Sequence, residues 1–160
     1  MTRRAAGRAG DSAGDTASQA SVSALQDALA AEEAASYGYG IVGSHLTGFP
    51  GQFGAASADC VAHEQAKDSL VGLLTARGAA PRPAAVAYRL PVKVSTAAQA
   101  VALAIILERQ VESAYLGLVA VPDLALRAFG AEQMQAAAVR YTRWSGHSQA
   151  FPGLPQSSAR

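Results

Sequence analysis

STAAQAVALAIILERQVESAYLGLVAV, residues 95–121, is the stretch of sequence that decides the fold. Thr96 and the serine before it are candidate N-caps, and Pro122 follows the end, so the stretch predicts one long helix. Glu108 and Glu112 stand on the apolar stripe of this helix, which should face a core. An ionised carboxylate there needs a partner, a proton or a metal. These two glutamates are therefore the main functional clue.

The composition predicts a single all-α domain. The chain has 160 residues, of which 50% are hydrophobic and 6% aromatic, and alanine is abundant. A net charge of +1 and the lack of basic patches interleaved with aromatic residues argue against a nucleic-acid partner. No apolar run approaches the roughly 20 residues of a membrane span, and the lone Cys60 excludes a disulfide framework. We therefore expect a soluble, cytoplasmic protein.

The chain divides into two tails and a bundle. Residues 1–20 are rich in Ala, Gly, Ser and Arg without periodicity, which predicts a disordered tail. Residues 21–147 should form the bundle, and residues 148–160 a C-terminal tail that folds back on it. The first helix should run from about Ser21 to residue 46, with Glu32 on its stripe, and the second from about Ser57 to Gly78. The fourth should begin after Asp123.

The connections between the helices predict the topology. Short turns join the first two helices and the last two, whereas residues 79–94 contain three prolines and no helical stripe. Extended, that segment spans about 50 Å. This length exceeds the roughly 33–39 Å of the flanking helices, so the segment can return along the whole bundle. Two helical hairpins joined by a long crossover form a ferritin-like four-helix bundle.

Four strings of the sequence carry a resemblance to a known family. In chain order they are LAAEEAASYGYGIVG, AHEQAKDSLVGLL, LERQVESAYLGLVA and AVRYTRWSGHSQAFPGLP. They resemble a ferritin-like domain family of unknown function from high-GC bacteria, over roughly residues 22–155. The wider ferritin-like superfamily implies a di-iron or di-manganese site, built from one Glu on each of two helices and a Glu-x-x-His on each of the others.

Carried onto this chain, the superfamily pattern gives a degenerate set of metal ligands. The matching residues are Glu32, His63, Glu108, Glu112, Glu132 and Gln135. Cys60 stands where the second helix should have a carboxylate, and Gln135 where the fourth should have a histidine. Both changes remove a good ligand for a hard metal. Counting levels from the predicted turns also places His63 about 10 Å along the axis from Glu32.

Three interpretations of the inward carboxylates remain open. The favoured one is a metal-free, non-enzymatic bundle without a cofactor, in which cations or hydroxyl groups pair with the carboxylates. The candidate partners are Arg109, Arg127, Arg140, Lys67, Tyr39 and Tyr115. A second is a di-metal protein that binds iron or manganese, with weak oxidase or storage chemistry. A third is a homodimer that binds a small molecule or a protein, although the sequence identifies no partner.

Overall fold

The computed structural model describes residues 6–154, with side chains from residue 14 onward. They form four helices, α1 (Ala6–Ser44), α2 (Pro50–Thr75), α3 (Ala97–Val119) and α4 (Leu124–Ser145). The described part of the chain contains no strand, which confirms the all-α prediction. None of the helices within it is long and apolar enough to cross a membrane.

Contacts between helices establish the order of the bundle. Helix α1 packs against both α2 and α3, and α3 packs against α4. On α1, Gly38 lies against Leu107 whereas Ala24 lies against Gly117, so α1 and α3 are antiparallel. Because the short turn at residues 45–49 makes α1 and α2 antiparallel as well, α2 and α3 run in the same direction. Two hairpins joined by a long crossover, the predicted topology, are confirmed.

The crossover, residues 76–96, runs along α1. Near its start, Gln26 on α1 donates a hydrogen bond to the Ala80 carbonyl and accepts one from the Arg82 amide. Further on, the Tyr88 hydroxyl donates to Glu33. Val92 and Val94 then pack against the apolar cluster that includes Tyr39, Leu103 and Trp144. These contacts fix the path that brings the chain back to the start of α3.

The caps of the last two helices follow the sequence. Thr96 accepts a hydrogen bond from the Gln99 amide at the start of α3, and Asp123 accepts from the amides of Ala125 and Leu126 at the start of α4. Gly146 closes α4 in the left-handed conformation, with φ of 75°. The Thr96 and Asp123 side chains satisfy amides that have no partner within their helices.

Helix α1 begins at Ala6, whereas the composition of residues 1–20 predicts a disordered tail. Residues 6–20 are helical instead, and residues 1–5 lie outside the described residues. The alanine-rich segment continues a helix that already exists, so it avoids the cost of nucleation. The side chains of residues 14–20 are mostly exposed, and the domain boundaries at 21 and 147 stay predictions.

The core consists of two apolar clusters along the bundle. The first includes Leu25, Leu29, Leu70, Leu74, Val111, Tyr115, Leu118 and Leu126. The second includes Tyr39, Val42, Leu46, Leu103, Leu107 and Trp144. Between the two clusters lie buried polar residues, Glu32 on α1 and His63 on α2. The site described below occupies this boundary.

The close contact between α3 and α4 gives a first prediction. A Cβ at Gly130 would lie 2.7 Å from the Leu118 Cβ and 3.3 Å from the Val119 nitrogen. Since these atoms belong to or adjoin the backbone, the helices would have to separate. We expect Gly130→Ala to lower the free energy of unfolding by about 1–3 kcal/mol, measured by urea denaturation.

Gly40→Ala is the matched control, because a Cβ at Gly40 on α1 meets nothing within 4 Å. It should raise the free energy of unfolding by up to about 1 kcal/mol through helix propensity alone. Equal stabilisation by the two substitutions would contradict the close packing at Gly130.

Candidate functional site

One polar side chain from each helix meets at the boundary between the two apolar clusters. They are Glu32 of α1, His63 of α2, Glu108 of α3 and Arg140 of α4, and with Tyr39 of α1 we call them the buried network. The carboxylates and the imidazole have no exposed surface, and the Arg140 side chain is 12% exposed. The network therefore connects all four helices inside the bundle.

His63 bridges two carboxylates from different helices. Its Nδ1 lies 2.6 Å from Glu32 Oε2, and its Nε2 lies 3.1 Å from Glu108 Oε1. Arg140 Nε donates to both oxygens of Glu108, at 3.1 and 3.0 Å. The Tyr39 hydroxyl donates to Glu108 Oε1 at 2.6 Å. Glu108 is thus the acceptor at which three of the other members converge.

The geometry favours a protonated imidazole. Burial alone would lower the pKa of His63, but the hydrogen bonds and charges of Glu108 and Glu32 outweigh it and raise the pKa to about 9. Burial would likewise raise the pKa of Glu108, yet His63 and Arg140 hold it below its ordinary value. Two carboxylates, one imidazolium and one guanidinium leave the buried network with no net charge.

Two tyrosines flank the network in different ways. The Tyr39 ring stacks on the His63 imidazole with centroids 5.0 Å apart, which suits a cationic ring over an aromatic face. Tyr115 lies on the Glu32 side, where burial and then the charge of Glu32 raise the pKa of its hydroxyl. Within the described structure, the Tyr115 hydroxyl and Glu32 Oε1 are both buried without a hydrogen-bond partner.

Glu112 stands apart from the buried network. Its Oε2 accepts hydrogen bonds from the Gln149 side chain at 3.2 Å and from the Gly153 amide at 3.3 Å. Both donors belong to the segment after α4, so this part of the predicted tail does fold back on the bundle. Phe151 and Leu154 of that segment remain exposed, which differs from the expectation that its apolar residues cover the bundle.

The predicted distance between His63 and Glu32 is wrong. Helix α2 begins at Pro50, seven residues before the predicted start at Ser57, because proline is well suited to the first turn of a helix. Residues 50–54, predicted as part of a turn, are therefore helical. The earlier start moves His63 by about 10 Å along the axis, onto the level of Glu32.

Two of the candidate metal ligands, both on α4, lie outside the buried network. Glu132 and Gln135 are exposed, so they do not join Glu108 and Glu112 inside the bundle. The register of α4 places Gly130 against Leu118 and brings Arg140 to Glu108. The position facing Glu108 therefore carries a cation.

Among the six partners suggested for the carboxylates, Arg140 and Tyr39 are the ones that bind Glu108. Arg109 and Arg127 are exposed, and Lys67 pairs with Glu64 on the surface of α2. Cys60 is partly exposed, and its thiol donates weakly to the Ser36 carbonyl at 3.8 Å. It takes no part in the buried network.

A further buried carboxylate, Asp59, was not predicted from the sequence. Asp59 on α2 is 3% exposed and accepts hydrogen bonds from Arg143 and from the Trp144 indole nitrogen, which lies 2.8 Å away. Asp59 precedes His63 by four residues, so both share one face of α2. The spacing of four residues is the signal in the sequence that Asp59 faces the interior together with His63.

The comparisons with known proteins agree with this architecture. Residues 24–156 match a family described as a domain of unknown function (DUF4439). The chain belongs to the DUF4439 family. Because the match spans most of the bundle, the buried network lies entirely within the DUF4439 domain. A search of curated proteins gave no significant match.

A solved structure resembles this DUF4439 protein over most of its length. It is the crystal structure of a conserved hypothetical protein, rv2844, from Mycobacterium tuberculosis. The two chains are 35% identical, with a TM-score of 0.76, and the similarity covers 80% of this chain and 96% of the other. The likeness supports the four-helix fold, and neither description assigns a function.

Proposed function

We propose that this DUF4439 protein is a metal-independent, non-enzymatic member of the ferritin-like superfamily, in which ion pairs take the place of a di-metal centre. The observation that carries the proposal is the bifurcated hydrogen bond from Arg140 Nε to both oxygens of Glu108, opposite the bridge that His63 makes to Glu32. Protein cations thus neutralise the carboxylates that metal ions would otherwise bind.

The donor set argues against a resident metal ion. A histidine binds a metal through the lone pair of a neutral imidazole nitrogen. Both nitrogens of His63 face carboxylates, and its raised pKa keeps a proton on each. Moreover, within the described part of the chain no three Asp, Glu, His or Cys side chains are arranged to hold a metal ion. The residues therefore do not fit a di-metal centre.

In this proposal the buried network determines how the helices pack. Each helix contributes one charged side chain, and each charge is satisfied only when the four helices have the correct register. Such networks contribute more to a unique structure than to raw stability, because desolvation offsets much of the attraction between the charges. The protein then serves as a scaffold, that is, a bundle with a structural role and no metal centre. Its cytoplasmic location and its homodimerisation stay predictions.

A metal titration tests the proposal directly. Micromolar Mn²⁺ or Fe²⁺ should leave the melting temperature of the wild-type protein unchanged, since a ligand stabilises a fold only when it binds the folded state. Elemental analysis of the purified protein should find no stoichiometric iron or manganese.

A metal-binding protein would give a different change in melting temperature. An increase of several degrees with metal in the wild type, lost in Glu108→Gln but kept in Glu132→Gln, would overturn the proposal. It would support the alternative of an iron- or manganese-binding protein. Glu132→Gln serves as the control because Glu132 is exposed and lies outside the buried network.

A further inference from the structure

A cleft lies between the outer side of α3 and the segment that follows α4. It has a volume of about 320 Å³, which is at the lower end of the range for pockets that bind small molecules. Ile106 and Leu154 contribute apolar surface, and Ser113 and Gln149 contribute polar groups. Glu112 lies at the floor of the same cleft, and its side chain is fully buried there.

Glu112 differs from the other buried carboxylates of residues 14–154. The four buried carboxylates in this range are Glu32, Asp59, Glu108 and Glu112 itself. Within 4 Å, Glu32 and Glu108 have ion-pair partners in the buried network, and Asp59 has Arg143. Glu112 has no ion pair among the described residues, and its Oε1 has no hydrogen-bond partner there. A buried carboxylate without a counter-ion is costly, which is reflected in the raised pKa of Glu112, whose first cause is burial.

The segment after α4 holds the other oxygen of Glu112 in place. The Gly153 amide and the Gln149 side chain both donate to Oε2, which leaves Oε1 as the free acceptor. Gly153 has φ of 80°, and a Cβ there would lie 2.9 Å from the Glu112 carbonyl oxygen. Only glycine allows this close approach, so the segment and the carboxylate are positioned together.

We propose that this cleft binds a small organic cation, a primary amine or amidine on an apolar body, with Glu112 as its counter-ion. Because Oε1 is buried, binding requires the Glu112 side chain or the segment after α4 to move outward. The N–H donors of such a group would then satisfy Oε1 and supply the charge that the protein does not. The apolar body would lie against Ile106 and Leu154. Arg109 also lines the cleft, but it is exposed, so solvent and salt screen its charge more than that of buried Glu112.

Benzylamine and benzamidine are suitable probes, and benzyl alcohol is the neutral control of similar shape. By isothermal titration calorimetry, the wild-type protein should bind both cations at least tenfold more tightly than benzyl alcohol. Glu112→Gln should remove this preference, because it keeps the shape of the side chain and removes the charge. Glu132→Gln, which changes an exposed carboxylate on α4, should bind the amines like the wild type.

A second variant protects the test against a folding defect in Glu112→Gln. Ser113→Trp places a large side chain at an exposed position of the cleft and leaves Glu112 intact. It should abolish amine binding without changing the circular dichroism spectrum. In NMR spectra of the wild type, benzylamine should shift the amide signals of Gln149 and Gly153 first.

Three results would overturn the inference. They are the absence of amine binding in the millimolar range, equal affinity for benzylamine and benzyl alcohol, and unchanged amine affinity in Glu112→Gln. The cleft is separate from the buried network, so these results would leave the metal-independent scaffold untouched. Conversely, stabilisation by Mn²⁺ would refute the scaffold proposal without bearing on the cleft.

Discussion

Replacing Glu108 by glutamine is expected to lower the free energy of unfolding by about 3–5 kcal/mol at neutral pH. The substitution keeps the shape of the side chain but removes the charge that Arg140 and His63 share. Two cations would then face a single remaining carboxylate, Glu32, in the interior of the bundle. Urea denaturation of the wild type and the variant measures the difference, provided that both show the same dependence on urea concentration.

The matched control is again an exposed glutamate. Glu132→Gln on α4 removes the same charge from the surface and should change the free energy of unfolding by less than about 0.5 kcal/mol. A similarly small effect for Glu108→Gln would mean that Glu108 is already protonated in the folded protein. In that case the ion pairs of the buried network do not exist as described.

Removing the stranded cation together with the carboxylate should recover part of the loss. In the double variant Glu108→Gln and Arg140→Met, no guanidinium remains near the neutral amide. We expect the double variant to be more stable than the sum of the single effects predicts, because the two residues are in direct contact. Additive effects would indicate that Arg140 and Glu108 do not interact energetically.

The fold was largely predictable from the sequence, for local reasons. The proline-rich crossover determined the topology, and Thr96 and Asp123 marked the start of α3 and α4 through their capping side chains. These signals act within a few residues along the chain. Tertiary context does not override them here.

The site was predictable only in part, because it depends on the relative heights of the helices. The stripe of α3 correctly placed Glu108 and Glu112 in the interior. Periodicity shows which face of a helix is buried, but the level of a residue depends on where the turns begin. Reading Pro50 as a turn residue, when it opens α2, displaced His63 by about 10 Å.

The cation that faces Glu108 was equally hidden in the sequence. Arg140 stood among six possible partners, and nothing local distinguishes it from Arg127, which is exposed. Both lie on α4, thirteen positions apart. The packing of α4 against α3, with Gly130 against Leu118, sets the register that brings Arg140 to Glu108.

The stability of the wild-type protein should fall as the pH rises from 6.5 to above 9, by an amount on the order of 3 kcal/mol. His63 has an ordinary pKa of 6.5, and its carboxylate partners raise the pKa to about 9 in the folded state. Below pH 6.5 both folded and unfolded chains carry the proton, and the stabilisation is complete. Between the two values the unfolded chain releases the proton while the folded chain keeps it, so the stabilisation declines.

His63→Gln provides the control, because glutamine carries no titratable proton. Urea denaturation across this pH range should give a free energy of unfolding for the variant that changes much less than that of the wild type. The comparison subtracts other groups that titrate in the same range, such as Cys60, whose pKa burial raises. The difference between the two curves therefore isolates the proton on His63.

A wild-type stability that is flat or rises over this range would mean that burial dominates and His63 is neutral in the folded protein. One ring nitrogen would then lack a proton and would face a carboxylate oxygen without a hydrogen bond, at either 2.6 or 3.1 Å. A neutral imidazole also offers the lone pair that a metal ion needs. The pH dependence thus separates the two interpretations of the same residues, since ion pairs require His63 to keep its second proton and a metal centre requires its loss.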